Sequence, residues 1–199
     1  MEKTKATILL DNGHGFNTPG KRSPDGSIRE YRYARNVVAA VSKQLKDEGY
    51  NVHIVTPEDT DVSLSARCNR VNWIAHEKEP GNCLLISVHL NASGNGSSWM
   101  PARGWQVCIS HNASRLSKRL AECLFDEAMK RLRTRRPDNA TKYWRQNLAI
   151  CRDTICPAIL TENLFMDNTD DAKMLQSAEG FLSIVQLHVE GIKKYIRML

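Results

Sequence analysis

Residues 83–90 read CLLISVHL, an almost continuous apolar run that ends next to a histidine. A strand exposed on one face would place a polar residue at every second position. An unbroken run therefore points to a strand covered on both faces, as in a parallel sheet between layers of helices. Shorter runs of the same kind stand at residues 6–11 (ATILLD), 51–55 (NVHIV), 104–110 (GWQVCIS) and 157–161 (PAILT). Helical spacing fills the intervals. From Glu30 to about Glu48 the apolar residues fall at 34, 37, 38, 41 and 45, with Gly49 as the stop. Further helices are expected at 64–78, at 113–133 with apolar residues at 116, 120, 124, 128 and 132, and at 170–178 and 180–198. Strands alternating with helices predict an α/β fold: a single domain over residues 1–199, with a mostly parallel twisted central sheet flanked by helices.

A chain of 199 residues suits one core of ordinary size, and 41% hydrophobic with 25% charged residues excludes disordered and fibrous classes. No stretch approaches the roughly 18 apolar residues of a membrane span. The opening MEKTKATILLDNGHG holds only a short apolar run, broken by Asp11 and Asn12, so no signal peptide is expected. The six cysteines lack the close paired spacing of a zinc finger or redox motif and are read as buried reduced thiols, which points to synthesis in a reducing compartment. The net charge of +6 is uneven, because Arg115 to Arg145 carries ten basic and four acidic residues. Most of that stretch is expected on the helix at 113–133, either as a solvated face or as a surface for an anionic polymer.

In open α/β sheets ligands bind beyond the carboxyl ends of the strands. Three strand-like runs end in residues able to bind metal or move protons: ILLDNGHG delivers His14, LLISVHLN delivers His89 and PAILTEN delivers Glu162. Glu30 opens the first helix after a loop that leaves the sheet at the same edge. Taken singly, Glu30 is equally an acidic first-turn residue favoured by the helix dipole, and each histidine equally a hydrogen-bonded structural residue.

Together, DNGHG, a glutamate at the start of the next helix, SVHLNA and PAILTEN resemble the zinc-dependent N-acetylmuramoyl-L-alanine amidases, the peptidoglycan-cleaving family with a parallel-sheet catalytic domain. The resemblance runs from Ala6 to the C-terminus. It implies that His14, Glu30 and His89 hold one Zn2+ per chain and that Glu162 is the catalytic acid/base. LSARCNRVN, with Arg67, and the continuation Asn91-Ala92 also match, which makes Arg67 and Asn91 candidate substrate-binding residues. The chain departs from the family pattern at Asn12 (usually Pro), Phe16 (usually Gly) and Leu164 (usually Gly), changes that bear on loop shape rather than on the reactive groups.

The implied substrate is the lactyl–L-alanine amide bond of peptidoglycan, and the basic residues 115–145 gain anionic wall polymers as a candidate partner. The same ligands would serve a zinc peptidase cutting within the stem peptide, and a non-catalytic wall-binding module is the reading from another class. No nucleic-acid motif is present, and neither nucleic acid nor membrane is expected as a partner. The chain is expected to act as a monomer, made in the bacterial cytoplasm and reaching the wall as a phage or prophage endolysin does.

Overall fold

Every residue from Thr7 to Asn12 is buried, which leaves that strand no edge or face in water. In the computed structural model, which describes residues 6–138 and 140–199, this strand, β1 (Thr7–Asn12), lies inside a six-stranded sheet. The others are β2 (Asn51–Ile54), β3 (Cys83–Asn91), β4 (Gln106–Ile109), β5 (Trp144–Arg145) and β6 (Ala158–Phe165). The order is β2-β1-β3-β6-β4-β5. β2, β1, β3 and β6 are parallel, whereas β4 pairs with β6 antiparallel and β5 follows β4. The expected α/β fold with a mostly parallel sheet is therefore present.

Side chains alternate across the sheet and split the core in two. Ile8, Leu10, Leu84, Ile86 and Ile159 face α1 (Glu30–Asp47), α3 (Arg115–Met129) and α6 (Ala178–Arg197). Leu9, Leu85, Cys108 and Leu160 face α2 (Leu64–Glu77) and the short α4 (Ala149–Arg152). The remaining helix, α5 (Thr169–Gln176), is capped by the Asn168 side chain, which accepts from the backbone of Asp170 and Asp171. The six cysteines are free and buried, as their scatter through apolar segments leads one to expect.

The third helix ends earlier than its apolar spacing suggests. Leu132 still reaches the core, but Trp105 N donates to Arg133 O at 2.8 Å and Arg135 N to Trp105 O at 2.7 Å, so the chain pairs with the start of β4 instead of coiling on. The basic stretch is divided accordingly. α3 carries three basic residues, Arg115, Lys118 and Arg119, against three acidic ones, Glu122, Asp126 and Glu127. The positive excess lies beyond the helix, not on it.

β6 is irregular where it matters. His89 pairs with Glu162 but Asn91 with Phe165, so β6 holds one extra residue there, and Leu164 adopts φ 71° while buried. This left-handed conformation costs a residue with a Cβ about 1 kcal/mol, and glycine very little. Leu164→Ala should lose about 2–4 kcal/mol of unfolding free energy through the lost packing. Leu164→Gly should be the more stable of the two by about 1 kcal/mol, inverting the usual order within a folded element. A glycine variant that melts below the alanine variant in denaturant titrations would remove strain as the account of this bulge.

Candidate metal centre

β1 leaves the sheet through Gly13, His14 and Gly15, and steric limits fix all three. A Cβ on Gly13 would lie 2.5 Å from Cε1 of His89, and one on Gly15 only 2.0 Å from the backbone N of Asp61. His14 itself has φ 59°. Two guanidinium groups hold this turn: Arg35 Nη1 donates to His14 O at 3.0 Å and Arg67 Nη2 at 3.4 Å.

Arg67 is buried beneath the turn. It pairs with Asp11 Oδ1 at 2.8 Å, donates to Asn12 O and Val62 O, and meets Asp61 Oδ1 at 3.0 Å. Asp11 also accepts from Ser87 Oγ at 2.6 Å and Thr56 Oγ1 at 3.2 Å. Removing one partner of such a buried pair leaves an uncompensated charge, so the network is strongly directional. Arg67 lines the cavity beside the centre, yet its donors are engaged by the chain itself.

Glu30 begins α1 with a carboxylate only 1% exposed. Its Oε1 lies 3.0 Å from Nδ1 of His89, accepts from Leu90 N at 3.1 Å and lies 3.4 Å from Nε2 of His14. His14, Glu30 and His89 each direct one donor atom into a space where these atoms lie within 4.8 Å of one another. The two imidazoles meet edge to face, 5.0 Å between centroids. Burial brings the pKa of His14 down to about 4, keeping the ring neutral with a lone pair to offer. For His89, burial works the other way from its partner: the hydrogen bond and charge of Glu30 outweigh it and raise the pKa. Burial alone would raise Glu30, but His89 and His14 bring it down, so the carboxylate stays ionised. The cluster favours positive charge at its centre, and Glu30 Oε2 is buried without a hydrogen-bond partner among the described residues. Two imidazoles and one carboxylate are the donor set of a catalytic zinc site that keeps a coordination position open. These residues fit zinc.

Glu162 is the registered neighbour of His89 on β6 and stands outside that three-donor group among the described residues. Burial raises its pKa to about 7, with the Glu30 charge adding to the rise and His89 and Lys21 opposing it. Its Oε2 is also buried without a hydrogen-bond partner among the described residues. Asn91 lines the same cavity as Glu162. Its Oδ1 accepts from Ala92 N at 2.9 Å.

Four contributors carried no signal that sequence reasoning used: Asp11, Arg35, Lys21 and Asn163. Asn163 Nδ2 holds the carbonyl of His89 at 2.9 Å and its Oδ1 accepts from Trp105 Nε1 at 2.7 Å. The glycines on either side of His14 were the available clue to a crowded turn.

The family model for N-acetylmuramoyl-L-alanine amidase matches residues 8–194. The chain belongs to this amidase family. Among relatives, it is 28% identical over 193 residues to the endolysin of Bacillus phage SPP1, covering 96% of this chain and 66% of that protein. It is likewise 28% identical over 190 residues to the N-acetylmuramoyl-L-alanine amidase CwlM of Bacillus licheniformis, covering 94% and 67%. The chain thus spans about two-thirds of the length of these relatives. In fold it is similar to the N-acetylmuramoyl-L-alanine amidase of Clostridium difficile 630, with a TM-score of 0.84 at 23% identity over 98% of both chains. The catalytic domain of the amidase CwlV gives a TM-score of 0.80 at 20% identity over 98% and 99%.

Because a methyl at Gly13 must push the His89 ring aside, Gly13→Ala should lower zinc affinity by at least about tenfold, the scale on which supporting groups act at metal sites. Competition with a chromophoric chelator measures it; unchanged affinity would show that the glycine does not set the ring position. His14→Ala and His89→Ala should each fall well below one zinc per chain in elemental analysis of the purified protein, and full occupancy in either would refute that ligand.

Proposed function

We propose that this chain is a zinc hydrolase that cleaves the amide bond between the lactyl group of N-acetylmuramic acid and L-alanine in peptidoglycan, with one Zn2+ held by His14, Glu30 and His89. The observation that carries the reading is the convergence of these three donors beside the partnerless carboxyl oxygen of Glu162. Family membership supports the substrate.

Zinc bound there supplies a Lewis acid that polarises the scissile carbonyl and makes water a nucleophile near neutral pH. The remaining work belongs to the chain's own groups. Glu162 Oε2 accepts a proton from the attacking water and returns it to the departing nitrogen of L-alanine. A partly desolvated carboxyl placed beside the scissile bond can serve both directions, as base and then as acid. Glu30 and His14 are fixed by backbone and guanidinium contacts rather than by solvent, so little reorganisation accompanies reaction.

The basic residues beyond α3 support a second element of the proposal, contact with anionic wall polymers. Lys130 and Arg131 pair with Glu127, and Lys142 with Asp126, whereas Arg133 and Arg145 are exposed. Attraction of this kind weakens as salt rises. We read the chain as acting on the wall as a monomer, and the similarity to a phage endolysin supports release during lysis as its route. Among the described residues no helix is long and apolar enough to cross a membrane.

Glu162→Gln should keep one zinc and lower kcat by at least about a hundredfold, the scale of general acid–base catalysis. Mass spectrometry of digested peptidoglycan should show intact stem peptides with a new L-alanine amino terminus. Fragments cut inside the stem would select the peptidase reading, and a zinc-loaded chain without turnover would select the silent wall-binding module.

A further inference from the structure

Two cavities meet at the histidine pair, and they differ in chemistry. One, of about 440 Å3, is walled by Val62, Leu64, Leu148, Ile150 and Leu160. The other, of about 330 Å3, is walled by Lys21, Arg22, Glu30, Asn91, Asn95 and Glu162. His14 and His89 border both, but Glu162 borders only the second. On the reading of Glu162 as proton donor, its carboxyl must lie within hydrogen-bond reach of the leaving nitrogen. The leaving nitrogen is that of L-alanine, so the stem peptide runs on into the second cavity and the acyl side faces the apolar one.

Lys21 is the cation that this placement brings to the stem. It lines the polar cavity together with His14, Glu30 and Glu162, on the reacting side of the loop. The backbone beneath it is anchored: Glu30 N donates to Lys21 O at 3.1 Å, Arg22 N to Gly20 O at 3.0 Å, and Arg22 bridges Arg29. The facing loop is anchored as well, since Asp167 Oδ2 accepts from both Ser93 N and Gly94 N at 2.8 Å. Among the described residues, no carboxylate forms an ion pair with Lys21 or Arg22. In a peptidoglycan stem the residue after L-alanine is a glutamate joined through its side-chain carboxyl. Its α-carboxyl is therefore either a free anion or, in amidated walls, a neutral amide.

We propose that the polar cavity is the stem-peptide subsite and that Lys21 pairs with the free α-carboxylate of the second stem residue, so that the enzyme discriminates against amidated stems. This inference rests on the amidase reading above. A neutral amide in place of the anion forfeits a charge-assisted hydrogen bond and leaves the ammonium beside the amide dipole.

The test compares two synthetic muramoyl tripeptides that differ only in that carboxyl or amide, with zinc-loaded wild type, Lys21→Gln and Lys21→Arg. Wild type should favour the acid by about tenfold in kcat/KM, carried by KM. Lys21→Gln should bring the ratio to within about twofold, and Lys21→Arg should restore it, since arginine keeps the charge. Calorimetry of the released acid tripeptide binding to the same zinc-loaded proteins should weaken in parallel for Lys21→Gln. A wild type that treats both substrates alike overturns the proposal, as does a Lys21→Gln variant that loses kcat equally on both, which would place the lysine at the reacting carbonyl. Cleavage of neither substrate by the zinc-loaded wild type would instead overturn the amidase reading itself, and a change in ratio without it cannot arise.

Discussion

The buried carboxylate of Glu30 is the constraint around which the rest of the centre is arranged. Taking an isolated carboxylate out of water costs several kcal/mol, and the cost is offset only where donors or cations surround it. Here Oε1 gathers His89, Leu90 N and His14, contributions from one strand and a turn that meet at one edge of the sheet. Each contributor is then fixed in turn. Asn163 holds the carbonyl of His89, and the guanidinium groups of Arg35 and Arg67 hold that of His14. Asp11 compensates Arg67 below the site. A metal ion belongs to the same electrostatic logic: the structure around Glu30 is already organised to hold positive charge, and binding it stabilises the folded chain by mass action.

Much of the frame was legible because it is periodic. The run at 83–90 and its shorter relatives are strands, and the rule that parallel strands share a carboxyl edge places His14, His89 and Glu162 together before any coordinate is seen. Register confirms the last two directly, with His89 opposite Glu162. Glu30 is different in kind. Its position at a helix start has an ordinary electrostatic explanation, and only family resemblance separates a ligand from a first-turn acid in the sequence. Geometry supports the proposed ligand role, since a first-turn acid that merely complements a dipole has no reason to be shut away from water against two imidazoles.

What was not legible depends on contacts between distant segments. The end of α3 at Met129 is decided by Trp105, which captures the following backbone, and helical spacing carries no trace of that competition. The basic stretch therefore moved from a helix face to the segment after it. The antiparallel direction of β4 is hidden in the same way, because a four-residue buried strand reads identically in either direction. Arg67 shows the reverse case: a match to the family pattern drew attention to a residue whose donors are consumed inside the protein, so its contribution to the site comes through the position of the His14 turn.

The two glutamates show how one residue type can acquire two characters around a single cavity. Glu30 is buried and Glu162 half-buried, and desolvation pushes both toward the neutral acid. Glu30 escapes because His89 donates to it and His14 stands beside it, so its pKa falls and the carboxylate persists. Among the described residues Glu162 has no hydrogen-bonded cation of that kind; desolvation dominates, the Glu30 charge adds to it, the His89 and Lys21 charges oppose it only from a distance, and the pKa rises to about 7. Pairs of titratable groups driven apart by their surroundings are the arrangement by which a site separates a permanent anion from a proton carrier. On the proposed reading, the anion is the one that holds the metal, and the carrier is the one that lines the polar cavity. The separation follows from a single difference, which carboxylate the histidine on β3 donates to, and that choice is made where α1 begins.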